Sequence, residues 1–231
     1  MPFFFGDYTM IIVLPALIFA MYAQTKVNGT FQRYLRVASS SGFTGAQVAR
    51  RILDNNGLYA VSIEMTRGHL TDHYDPRKRV LRLSPAVYNG SSLASLGVAA
   101  HETGHAIQHN LGYIPLGIRN AIFPVANIGS RMAFPLFFMG LIFRAEPLVF
   151  IGIAAFTAAV LFHIITLPVE YNASSRAIEA LQAGGYIAAG EVEHTKKVLS
   201  AAALTYVAAT FVAITQLLRL LALSGMFRRN D

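Results

Sequence analysis

Read only for apolar and polar positions, the chain alternates long apolar runs with polar stretches. The first run is Phe3 to Ala23, interrupted by Asp7. Leu148 to Val169 and Ala201 to Leu223 are two more, each close to the roughly 20 residues that cross a bilayer as a helix. Residues 113–143 are apolar too, but Pro115, Pro124, Pro135, Arg119 and Arg131 break them and place a span near 121–143. Arg131 falls in the middle of that span. An arginine there costs about 2.5–3.5 kcal/mol on insertion scales, so it is expected to face protein or water, unless the true span is shifted. Lys26 is the first cation, so the first run lacks the basic flank of a cleavable signal. It reads as an uncleaved anchor with its N-terminus outside.

Between these runs the pattern changes period. Thr44-Gly45-Ala46-Gln47 has the form of a capping box, Val48, Ile52 and Leu53 make an apolar stripe, and Asn56-Gly57 ends the helix. Val61 to Met65 and Arg79 to Ser84 alternate as strands, with turn residues Asp75-Pro76-Arg77-Lys78 between them. They predict a hairpin, or a small sheet with an edge open to a peptide strand. Ser91 or Ser92 caps the next helix and Gly112 ends it, with Leu93, Leu96, Ala100 and Ile107 as its stripe. That helix also carries His101, Glu102, His105, Gln108 and His109, which is too polar for a membrane span.

Composition fits this picture. The chain of 231 residues is 54% hydrophobic and only 13% charged, which is too apolar for an ordinary soluble domain. The net charge of +7 is read as membrane orientation and lipid contact rather than nucleic-acid binding. Fourteen Lys and Arg fall in the two segments placed in the cytoplasm, against Arg144, Arg219, Arg228 and Arg229 outside. The absence of cysteine excludes disulfides, thiolate ligands and a cysteine nucleophile.

The chemistry concentrates in His101-Glu102-Thr103-Gly104-His105, a His-Glu-x-x-His motif. A spacing of four puts both imidazoles on one helical face, about one turn apart. They can share one tetrahedral zinc, with bonds of roughly 2.0–2.1 Å. Glu102, beside the first histidine, is the natural general base for a water. A catalytic zinc needs a third protein ligand. A histidine six residues past His105 is excluded, because Leu111 stands there and Gln108 holds the accompanying glycine position. His109 is eight residues from His101, about 12 Å along the axis, so it reads as a rim residue. His194 sits alone in a polar loop. Glu170 has the best case. It follows Pro168, which suits the first turn of a new helix. Ser174 and Ala177 keep its face small, and two spans between His105 and Glu170 return the chain to the same side.

Three segments together resemble a known family. They are Gly68-His69-Leu70-Thr71-Asp72-His73-Tyr74-Asp75-Pro76-Arg77, Val98 to Gln108, and Leu167-Pro168-Val169-Glu170-Tyr171-Asn172-Ala173-Ser174-Ser175-Arg176-Ala177. In these the chain is similar to the YugP-type membrane zinc metallopeptidases of bacteria, the neutral zinc metallopeptidase family, itself gluzincin-like. The resemblance implies His101, His105 and Glu170 as zinc ligands and Glu102 as base. Asn172 and Ser174 are placed to accept the second N–H of a metal-bound histidine. Arg176 either fixes Glu170, stabilises an oxyanion or is structural. His73 and Tyr74 either stabilise the tetrahedral intermediate or belong to a turn around Asp72 and Asp75.

The fold expected is a mainly α integral membrane protein of about four transmembrane helices with a small α+β cytoplasmic zincin-like domain. Its parts are an anchor (1–24), the zincin-like domain (25–112), a two-span hairpin (113–169), the helix of the third ligand (170–199), and a last span with its tail (200–231). The function expected is a Zn2+ endopeptidase of the plasma or inner membrane, with its active site at the cytoplasmic surface. Its partners are a protein or peptide substrate, the bilayer, and a membrane protein or second copy, with no nucleic acid. Two other readings stand beside it: an intramembrane zinc protease, and a zinc-stabilised membrane scaffold without turnover.

Overall fold

The computed structural model describes residues 8–225. The first seven residues, with Asp7, and the tail from 226 with Arg228 and Arg229 lie outside the described residues, and with them the expected side of each terminus. The described chain is mostly helical. Four helices are long and apolar enough to cross a membrane: α1 (Met10–Leu35), α5 (Ile114–Ile142), α6 (Glu146–Ala183), and the stretch Ala189–Leu223. Shorter elements lie between them: α2 (Gly45–Asn55), β1 (Ser62–Met65), β2 (His73–Asp75), β3 (Val80–Leu83), α3 (Pro85–Tyr88) and α4 (Leu93–Asn110). A turn of 3-10 helix at Ala189–Glu191 precedes α7 (Val192–Leu223).

The chain forms two compact units. One comprises the residues up to Gln24, Ile118–Leu167 and those from Thr205 onward. Its core gathers Ala133 and Phe137 of α5, Ile153, Phe156 and Val160 of α6, and Ala213 and Leu220 of α7. The α5–α6 pair is close because glycines line it. A Cβ on Gly129 would stand 2.6 Å from the Ala155 carbonyl oxygen, and one on Gly152 would stand 2.8 Å from that of Ala133.

The other unit, Thr25–Gly117 with Pro168–Leu204, holds the sheet and the polar helices. Helix α2 forms as its sequence predicts. Thr44 accepts from the Gln47 backbone, and the Gln47 side chain accepts from the Thr44 N–H, a complete capping box. Val48, Ile52 and Leu53 are buried against Leu93, Leu96, Ala99 and Ala100 of α4 and Leu81 and Leu83 of β3. Ser92 caps α4 by accepting from the Ser95 N–H, and Gly112 leaves it at φ 61°.

Two expectations change. The sheet order is β1-β3-β2, with β1 parallel to β3 and β2 antiparallel to it. The hairpin is therefore β2–β3, and its turn is built by Asp75, which accepts from the Arg77 and Lys78 N–H groups at 3.0 and 3.1 Å. β2 is only three residues long, too short to register as an alternating strand. The second change is at proline. Pro168 opens no new helix; α6 runs through it, as α5 runs through Pro124 and Pro135. Each proline removes one backbone hydrogen bond, but a long apolar helix packed on neighbours tolerates that loss.

Candidate metal centre

The site is the crossing of two helices, α4 and the C-terminal part of α6. They approach through Gly104, between the two histidines, and Ala173, three residues past Glu170. A Cβ on Gly104 would stand 2.7 Å from the Ala173 carbonyl oxygen and 3.2 Å from its Cα. Only glycine permits this approach. It seats Glu170, 2% exposed, against the histidine face of α4. His101 Nε2 lies 3.2 Å and His105 Nε2 3.6 Å from Glu170 Oε2. One ligand atom from each residue falls within 4.8 Å of the others, a group able to hold a metal ion.

The donors fit zinc by distance and by proton placement. Atoms bonded at roughly 2.05 Å to one tetrahedral ion lie about 3.3 Å apart, close to the spacings seen. Proton placement follows from Gln108, which is fully buried. Its Nε2 reaches the Val169 carbonyl at 2.9 Å, an oxygen that can only accept, so that end of the amide is the NH2. Its Oε1 therefore faces His105 Nδ1, 3.0 Å away, and Nδ1 carries the hydrogen. A neutral His105 then turns a bare Nε2 lone pair toward a carboxylate oxygen, an arrangement that repels unless a proton or a cation lies between. Burial by itself lowers the His105 pKa, but the hydrogen bond with Glu170 and the charges of Glu102 and Glu170 outweigh it, and the net shift is upward. A metal ion bound there would take the place of that proton.

The same amide starts a relay. Gln108 Nε2 also donates to Asn172 Oδ1 at 2.9 Å, and the Arg176 Nε–H donates to that oxygen at 2.8 Å. Arg176 can only donate, so the Asn172 orientation is fixed as well. On the other histidine, His101 Nδ1 lies 3.1 Å from Ser174 Oγ. Asn172 thus reaches the site through Gln108, while Ser174 touches a histidine directly. Gln108 was not expected as a site residue. On α4 alone it reads as polar surface, and its burial appears only once α6 is docked.

Glu102 is half-buried beside the donors and makes no hydrogen bond with the described residues. His73 is held in the sheet: its Nδ1 contacts the Thr71 carbonyl at 2.9 Å and its Nε2 lies 3.4 Å from Arg82. Asp72 is held apart, accepting from the backbone and hydroxyl of Ser84 at 2.7 and 3.0 Å. Tyr74 on β2 pairs with His109 on α4, hydroxyl to Nδ1 at 3.0 Å. His194 bonds the Tyr34 hydroxyl at 3.1 Å and is not part of the donor group.

A family model described as "Putative neutral zinc metallopeptidase" matches residues 9–225. The chain belongs to this family. The zinc metallopeptidase match covers both compact units, so the apolar helices and the donor group lie inside it. Within the family the chain is 51% identical over 208 residues to "Putative membrane protease YugP" of Bacillus subtilis (strain 168), covering 90% of this chain and 92% of that protein. No solved structure matches the chain. Two imidazoles and one carboxylate are donor types that zinc accepts, with a position left for water.

Proposed function

We propose that this protein is a membrane-embedded zinc endopeptidase that cuts membrane or membrane-associated proteins at the cytoplasmic membrane surface. The observation that carries the reading is the convergence of His101, His105 and Glu170, with both Nε2 atoms turned to Glu170 Oε2. His101, His105 and Glu170 would hold the ion. Zinc bound there supplies a Lewis acid and lowers the pKa of water. The residues do the rest. Glu102, with no hydrogen bond to the described residues, is free to take a proton from the attacking water and deliver it to the leaving amine nitrogen. Ser174 and Gln108 accept the Nδ1 hydrogens and hold both imidazoles in the ligating tautomer. Asn172 and Arg176 keep Gln108 in place.

The orientation is argued from charge. The unit holding the donors carries most of the Lys and Arg, which favours the cytoplasmic side of the cell membrane. The test is Glu102→Gln. It should keep the ion, because Glu102 is not a donor, and should slow cleavage at least hundredfold, in the range of lost general-base catalysis, roughly 10²–10⁴. Comparing membrane proteins of cells carrying wild type or Glu102→Gln by mass spectrometry would reveal the fragments. Unchanged cleavage by a zinc-loaded Glu102→Gln protein would overturn the mechanism.

A further inference from the structure

Helix α5 turns its small residues toward α6 and leaves its opposite face without a partner among the described residues. That face repeats every three and four positions: Pro124, Ile128, Arg131, Pro135, Phe138 and Ile142, all exposed. Apolar side chains there are ordinary for a helix in lipid. Arg131 is not. It is exposed and makes no hydrogen bond or ion pair with the described residues. Its guanidinium stays charged at any physiological pH.

Arg131 also lies far from the charges that flank the apolar run of α5. It is twelve residues past Arg119 and thirteen before Arg144, with no other charged residue between. At 1.5 Å per residue those flanking charges are about 18 and 20 Å away along the helix, and an arginine set that deep in an apolar stretch is costly in lipid unless it is paired. Among the described residues a second copy offers no carboxylate in a mid-span position: those of the long helices are Glu146 at the start of α6, Glu170 in the metal centre, and Glu179, Glu191 and Glu193 in the unit that holds the sheet.

We propose that the Arg131 face of α5 docks a transmembrane helix of a different protein, one that carries an aspartate or glutamate near mid-membrane. The carboxylate pairs with Arg131, and Ile128, Met132 and Phe138 pack around the pair. The proposal rests on the membrane reading above. Extraction of the membranes with alkaline carbonate tests that reading separately, since an integral protein stays in the pellet.

The experiment places a photo-crosslinking amino acid at Met132 in the full-length chain in its native membrane, with Leu161 on the exposed side of α6 as the control position. The expected result is a Met132 adduct to a protein with a mid-membrane Asp or Glu. Arg131→Leu should lower the yield at least tenfold at equal protein level, and Arg131→Lys should keep it. Arg131→Asp should also abolish it, and changing the partner's carboxylate to lysine should restore it. Adducts to lipid alone, to a second copy, or to a protein without such a carboxylate would overturn the proposal. So would a yield indifferent to Arg131→Leu, or a charge swap that restores nothing.

Discussion

Single residues decide whether the site can hold an ion, and Gln108 shows how. Its position six residues past Glu102 was legible, but its role was not, because a glutamine on an amphipathic helix looks like solvent-facing surface. Docked against α6, it is buried and fixes the His105 tautomer. Gln108→Leu should keep the fold, since the new side chain is of similar size and apolar, but it leaves the His105 Nδ1–H and the Asn172 side chain short of a partner. Zinc affinity measured by chelator competition should fall about 10–100-fold, the usual cost of losing such a support. Gln108→Glu keeps an acceptor for Nδ1 but sets its second oxygen against two acceptors, the Val169 carbonyl and Asn172 Oδ1, so it should recover only part of that affinity. Equal affinity in wild type and Gln108→Leu would show that the relay does not support the ligand. The sequence left His73 either to the chemistry or to a turn, and its ring contacts the Thr71 carbonyl and Arg82.

Elements carry the next level of the argument. The His-Glu-x-x-His helix was predictable because its cap, stripe and stop are local signals: Ser92, the Leu93–Leu96–Ala100–Ile107 face and Gly112. What brings α6 to it is not a local signal. Gly104 matters here for the space its missing side chain leaves. Gly104→Ala should force the α6 backbone away from the histidines. It should destabilise the protein by about 1–3 kcal/mol, as overpacking does, and should also remove zinc binding. Thermal unfolding with and without added zinc reads both effects, and a zinc-dependent rise in Tm that survives in Gly104→Ala would contradict this account. The sheet was only partly legible for the same reason. Alternation marks β1 and β3 as strands but does not say that they pair in parallel, with β2 on the far side of β3.

At the scale of the whole molecule, the proposed membrane reading ties the site to the number of crossings. Helix α5 and the apolar first part of α6 lie between His105 and Glu170, and two crossings there would return the chain to one side. The chain has no cysteine, so single cysteines can be placed without background. Asn110→Cys and Ala183→Cys should react with an impermeant maleimide from the same side of the membrane, and Arg144→Cys from the other. Asn110→Cys and Ala183→Cys labelling from opposite faces would be incompatible with a shared ion at His101, His105 and Glu170.

The sequence by itself determined the four long apolar helices, the helix of the motif and its two imidazoles, because each rests on periodicity, capping or fixed spacing within a few residues. It also singled out Glu170, through small neighbours and an even count of spans. The tertiary structure decided what contacts across the chain decide. Helix α6 continues through Pro168 because packing outweighs one lost hydrogen bond. Gly104 lets Ala173 approach within the space of a methyl group. Gln108, Asn172 and Arg176 become one oriented relay only because α4 and α6 lie side by side, sixty and more residues apart in sequence. Local periodicity carries no information about such distant partners; burial and hydrogen-bond satisfaction in the folded chain select them.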